Sequence, residues 1–176
     1  MNEYASHLAL LSTLARVVSR EIVHIVELGS GLFSTPMWLN RSIWPFVHSV
    51  NSYEPDPVWA RYIEYITRDS RLTIMDKMPP SIDFADIVLI DNGDNRRERV
   101  QGIRHVIGYE TTGLVILHDA NELEYMMTIE PHFENCLVYT GAYPHTAILW
   151  NGDRWNYEEI NASMKITETY ECQQLT

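Results

Sequence analysis

Leu8, Leu11, Ala15 and Val18 recur at helical spacing, so residues 4–20 are expected to form an amphipathic helix lying against whatever follows. The period then changes. Short apolar, β-rich runs, HIVEL (24–28), SVNSYE (49–54), LTIMD (72–76), DIVLID (86–91) and LVILHD (114–119), alternate with STPMWLNR, PVWARYIEYITR and RRERVQGIRHVIGYE, whose lengths and periodicity suit helices. Strand and helix in turn imply parallel βαβ units under right-handed crossovers, and near-continuous apolar strands imply a sheet covered on both faces. Beyond residue 120, CLVYTG (136–141) and HTAILWNG (145–152) are separated by a turn too short for anything but antiparallel pairing. The expected fold is therefore a single α/β domain with a doubly wound, Rossmann-like sheet of seven strands, mostly parallel with an antiparallel C-terminal hairpin strand. Residues 1–20 would flank it, 21–152 would form it, and 153–176 would be a tail holding a short helix and a loose end.

Composition narrows the partners. The 176 residues, 45% of them apolar, suit one soluble domain with a core of its own. A formal charge of −11, with 24 acids against 13 bases and no Lys/Arg-rich run, argues against nucleic acid as a partner. Cys136 and Cys172 are far apart and form no metal-binding pattern, which suits a reducing compartment. The first 20 residues carry Glu3 and a broken apolar run rather than a basic leader, and no segment reaches membrane-spanning length, so a cytoplasmic, membrane-free protein is expected.

Ligands of open α/β sheets lie at the carboxyl ends of the strands, near the topological switch point. Those ends read Glu27-Leu-Gly29-Ser30-Gly31, Glu54-Pro55-Asp56, Asp76-Lys77, Asp91-Asn92-Gly93 and His118-Asp119-Ala120-Asn121. One acid at a strand end is ordinary turn or cap chemistry. Five at one edge repel each other and call for hydrogen-bond donors or positive charge. In the first turn, Gly29 and Gly31 are expected to take positive φ and let the backbone approach a ligand, with Ser34 and Thr35 capping the next helix. The third glycine of a dinucleotide fingerprint is absent, Ser34 standing in its place, while Glu54 sits where an acid accepts hydrogen bonds from ribose hydroxyls.

With Ser34 and Thr35, residues 27–31 resemble motif I of class I S-adenosylmethionine-dependent methyltransferases, and SYEPDP (52–57) resembles their second motif. DIVLIDNGDNRRERVQGI (86–103) and TGLVILHDANE (112–122) are similar to the fourth- and fifth-strand motifs of the small-molecule and sugar O-methyltransferase branch. The resemblance spans roughly residues 20–152 with its parts in order. It implies S-adenosylmethionine as cofactor, with Glu27, Gly29, Ser30, Gly31, Ser34 and Thr35 bordering its methionine part, Glu54 and Pro55 its ribose, Asp76 its adenine, and Asp91 and Asn92 its sulfonium. An acid-lined pocket lowers the free energy of a sulfonium cation and suits a pyrophosphate badly. Three positions depart from the pattern: Phe33 stands close to a usual glycine, Asn92 replaces a glycine, and Gly113 is single where two are common.

Methyl transfer to oxygen requires removal of the acceptor's proton. One route uses Asp91, His118 and Asp119 as the catalytic group, with His118 or Asp119 as general base. The other, implied by the resemblance to metal-dependent enzymes, places Mg²⁺ on Asp91, Asp119 and Asn121. Asn95-Arg96-Arg97-Glu98-Arg99 is most simply the solvated start of a helix with Asp94 or Asn95 as its cap, Arg96 or Arg99 could instead bind an anionic acceptor, and the scattered histidines, His7 among them, read as packed or surface residues. The expected activity is O-methylation of a small molecule or sugar, the acceptor wall coming from the N-terminal helix, the loops after strands four and five, and a homo-oligomeric partner if there is one. The alternative is a non-catalytic binding or assembly module on the same fold, motivated by Phe33 and Asn92.

Overall fold

In the computed structural model, residues 7–18, 23–93, 95–111 and 113–166 are described. Helix α1 (Leu8–Val18) is followed by β1 (Val23–Leu28), α2 (Ser34–Leu39), β2 (Val47–Tyr53), α3 (Pro57–Thr67) and β3 (Leu72–Met75). Next come β4 (Ile87–Ile90), α4 (Arg96–Ile107), β5 (Leu114–His118), α5 (Leu123–Ile129), β6 (Asn135–Tyr139), β7 (Thr146–Trp150) and α6 (Tyr157–Ile166). The seven strands form one sheet in the order β3-β2-β1-β4-β5-β7-β6, in which β7 alone runs antiparallel to its neighbours β5 and β6. The expected mixed seven-strand sheet is thus observed. The ends of the expected 4–20 helix, the loose end of the tail and Cys172 lie outside the described residues.

Period-two alternation along the strands divides the core into two layers. Ile25, Ile87, Leu89, Leu114 and Ile116 face one side, where α1, α2 and α6 supply Leu10, Leu14, Trp38 and Ile160. Val26, Leu28, Val88, Ile90, Val115 and Leu117 face the other, under Val100, Ile103 and Val106 of α4 and Met126 and Ile129 of α5. Trp38 and Trp44 are buried and meet edge to face with ring centroids 5.0 Å apart.

Two connections differ from the alternating pattern. The sequence shows no clear period between β5 and β6, yet α5 forms there and buries Tyr125, Met126 and Ile129. Between β3 and β4 no helix forms, and the crossover is held on α4 instead: the His105 imidazole Nε2 lies 2.9 Å from the Pro79 carbonyl, and the Tyr109 hydroxyl donates to that of Pro80 at 2.7 Å. The chain order reverses between β1 and β4, which makes their carboxyl ends the switch point.

Candidate functional site

Strand register brings the chemistry together. The Gly29 amide donates to the Tyr53 carbonyl (3.0 Å), Glu54 to Met75 (2.8 Å) and Asp91 to Leu28 (2.8 Å), so the ends of β1 to β4 align. Gly29 has φ +97°, and a Cβ there would lie 2.4 Å from the Asp91 carbonyl oxygen. Its glycine is required by the close approach of β1 and β4. Gly31, contrary to expectation, has no positive φ; a Cβ on it would strike the Ser34 hydroxyl at 2.5 Å.

Beneath this turn lies Glu27, fully buried. Thr35 and Ser52 both donate to its Oε2 at 2.6 and 2.7 Å, and Ser30 stands 2.8 Å behind Ser52. The Gly31 amide donates to the Thr35 hydroxyl, closing the turn over the carboxylate. Ser34 and Thr35 are the first residues of α2, and their hydroxyls address Glu27 instead of capping the helix; Phe33 takes the N-cap place without a side-chain bond. Burial pushes the Glu27 carboxyl up to about 7, against the pull of the Ser34, Thr35 and Ser52 hydroxyls. The Ser34 hydroxyl lies beside the carboxyl but outside hydrogen-bonding geometry, which leaves it and Glu27 Oε1 unpaired. Glu27 is therefore the support of the turn, covered by it.

On the β2 and β3 side the residues are open. Glu54 is half-buried and accepts from the Asp56 amide at 2.9 Å, and Pro55 and Asp76 are exposed. Burial, with the charges of Glu54, Glu98 and Asp76 around it, raises the Tyr53 hydroxyl above its ordinary value. Asp56 caps α3 through the amides of Val58 and Trp59, and the Trp59 indole donates to the Ser30 carbonyl at 2.8 Å, tying α3 to the first turn.

On the β4 and β5 side lies a buried ionic cluster. Arg99, 5% exposed, donates from Nη2 to Asp91 Oδ1 at 2.8 Å, and its Nη1 lies 3.1 Å from Asp119 Oδ2. Its Nε and Nη1 also donate to the Asn92 and His118 carbonyls. The His118 Nδ1 is 3.1 Å from Asp91 Oδ1 and 3.3 Å from Asp119 Oδ1. Burial alone would lower the His118 imidazole, but the hydrogen bond and charge of Asp91 and the charge of Asp119 raise it above its ordinary value. Burial works against Asp91, and His118 and Arg99 outweigh it to hold that carboxyl below its usual range. Asp119 has φ +61°, a left-handed conformation that costs about 1 kcal/mol in a non-glycine residue and turns its carboxylate back toward Arg99.

His7, 2% exposed, stands edge-on to His118 with ring centroids 4.8 Å apart, and both its ring nitrogens are without hydrogen-bond partners among the described residues. Burial pulls it down to about 4, so it is neutral at neutral pH. One ligand atom each from His7, Asp91 and His118 lies within 4.8 Å of the others, the His118–Asp91 pair standing at 3.1 Å.

Asn92 is buried and serves α4: its amide nitrogen donates to the Glu98 carbonyl at 2.8 Å, and its Oδ1 fills the space over Gly102. Asn95 caps α4, and Asp94 lies outside the described residues. Mg²⁺ on Asp91, Asp119 and Asn121 does not fit this arrangement. The Arg99 guanidinium bridges the two carboxylates, and the Asn121 oxygen accepts from the His145 amide at 3.2 Å. The same finding revises the argument from repelling acids, because for two of the five the neutralising charge is supplied by the chain itself. The sequence places Arg99 in a solvated helix start or on an anionic acceptor, and sets His7 aside; Arg99 is instead 5% exposed, and its i+8 spacing from Asp91 into α4 was the available signal.

No protein-family description matches the sequence, and no curated protein matches it. Solved structures do. Human methyltransferase-like protein 13 in complex with SAH superposes with a TM-score of 0.59 at 12% identity, over 96% of this chain and 91% of that one. The fold is that of the Rossmann-like methyltransferases. An SAM-dependent O-methyltransferase from Thermotoga maritima gives 0.58 at 14% identity, over 83% of this chain and 66% of that one. The ribosomal protein L11 methylase from Lactobacillus delbrueckii subsp. bulgaricus gives 0.58 at 13%, over 86% and 81%. Among the described residues no helix is long and apolar enough to cross a membrane.

Proposed function

We propose that this protein is an S-adenosylmethionine-dependent methyltransferase that methylates an oxygen of a small molecule or sugar. The observation that carries the reading is the alignment of the Gly29 turn, Glu54, Asp76 and the Asp91–His118–Asp119 group along one sheet edge at the switch point of a methyltransferase fold. The residues suit the cofactor: a tight turn with half-buried Gly29 and Gly31, a half-buried carboxylate at the end of β2 for ribose hydroxyls, and an exposed acid at the end of β3 for an exocyclic amine. Bound there, S-adenosylmethionine supplies an electrophilic methyl group on a cationic sulfur.

The chain's own residues do the rest. Glu27 and the Trp59–Ser30 bond hold the turn still. Asp91 and Asp119 flank Nδ1 of His118, so that nitrogen carries the proton and Nε2 is basic. His118 takes the acceptor's proton, and the two carboxylates stabilise the imidazolium that forms. The net charge of −11 favours a small acceptor over nucleic acid.

S-adenosylhomocysteine should raise the melting temperature. Saturation at 100 times Kd adds about 2.7 kcal/mol, or roughly 5–10 °C for a chain of this size. Glu54→Ala should lose most of that shift. No binding by calorimetry at millimolar S-adenosylhomocysteine would overturn the proposal. Binding without methyl transfer to any of a broad panel of hydroxylated acceptors would identify the non-catalytic module instead.

A further inference from the structure

The oxygens gathered around Arg99 form an unusual set. Asp91 Oδ1, Asp119 Oδ2 and the carbonyls of Asn92 and His118 all lie 2.8–3.1 Å from its nitrogens. Two carboxylates and two carbonyls are the ligand set a hard divalent cation takes from a protein. We propose that Arg99 is a built-in replacement for that cation, so that the site works without a metal and excludes one.

Geometry and burial carry this. The Arg99 side chain is only 6% exposed, held at its base by α4 and at its tip by residues at the ends of β4 and β5. Its guanidinium is covalently part of the chain and cannot dissociate, as a bound ion can. Gly102, one turn below, is what lets Asn92 sit against α4 and offer its carbonyl, since a Cβ there would be 2.1 Å from Asn92 Oδ1. Asp119 adopts its left-handed conformation at the same point and completes the set. A delocalised single charge polarises a hydroxyl less than a doubly charged ion does, which throws proton removal onto His118. The inference concerns the ion cluster alone and stands whether or not the chain transfers methyl groups.

The test is cation binding by the full chain without cofactor, using Mn²⁺ alone and Zn²⁺ alone, followed by calorimetry and by the electron paramagnetic resonance signal of free Mn²⁺. The wild type should bind neither at sub-millimolar concentration. Arg99→Ala empties the position and should gain Mn²⁺ binding, seen as a loss of the free-ion signal and a rise of several degrees in melting temperature; adding Asp119→Asn should abolish both. If Arg99→Ala does not fold, Arg99→Gln, which keeps more of the side-chain bulk, is measured in its place with the same expectation. Mn²⁺ or Zn²⁺ binding to the wild type that is lost in Asp91→Asn overturns the inference, as does a folded Arg99 variant that gains no Mn²⁺ affinity.

Discussion

Replacing Glu27 by Gln tests the account of the first turn. The carboxyl is fully buried and its pKa rises from 4.5 to about 7 on folding. A proton is therefore bound more tightly by the folded chain than by the unfolded one. Stability contributed by the protonated form is fully present below pH 4.5 and is lost as pH rises toward 7, where the folded state must ionise a buried acid. A shift of that size corresponds to on the order of 3 kcal/mol, at about 1.4 kcal/mol per unit. Gln keeps the shape, accepts from Thr35 and Ser52 as Oε2 does, and carries no charge. Urea unfolding of both proteins across pH 4.5–8 isolates the effect, because every other titrating group, His118 among them, is present in both. The two should be similar in stability at the acid end, and the Gln variant should gain on the wild type steadily with pH, by up to about 3 kcal/mol at pH 8. A variant less stable by a constant amount at every pH would refute the reasoning and show an ionised Glu27 held by its hydroxyls.

Other outcomes follow from the same geometry. Gly29→Ala forces a Cβ to 2.4 Å from the Asp91 carbonyl at φ +97°, and denaturant titration should show a loss of roughly 2–4 kcal/mol. If His118 is the base, activity should rise with pH through a midpoint above 6.5, and Asp119→Asn, which removes one of the charges raising it, should move that midpoint toward acid in the kcat/KM profile.

Much of the frame was legible because strands and crossovers are written in local patterns. The runs at 24–28, 86–91 and 114–119 are apolar on both faces, and they became the central strands β1, β4 and β5. Helix α5 was not legible, since a seven-residue helix gives barely two turns of period and owes its form to packing Met126 and Ile129 on the sheet. Within the site, the strand-end acids could be located but not their partners. That Glu27 is covered, that Arg99 bridges Asp91 and Asp119, and that His7 packs on His118 all depend on contacts between residues far apart in sequence. The expected roles of Ser34 and Thr35 as caps failed for the same reason: both lie inside α2, where the Thr35 hydroxyl donates to the buried Glu27 on the far side of the turn.

Helix α4 has one end in each half of this architecture. Its first turns carry Arg99 into the ion cluster, while His105 and Tyr109 near its last turn grip the Pro79 and Pro80 carbonyls of the crossover that begins at Asp76. Through His105, Tyr109 and Arg99, α4 thus ties the crossover that follows β3 to the carboxylates at the ends of β4 and β5, so a single helix sets the relative placement of both sides of the sheet edge.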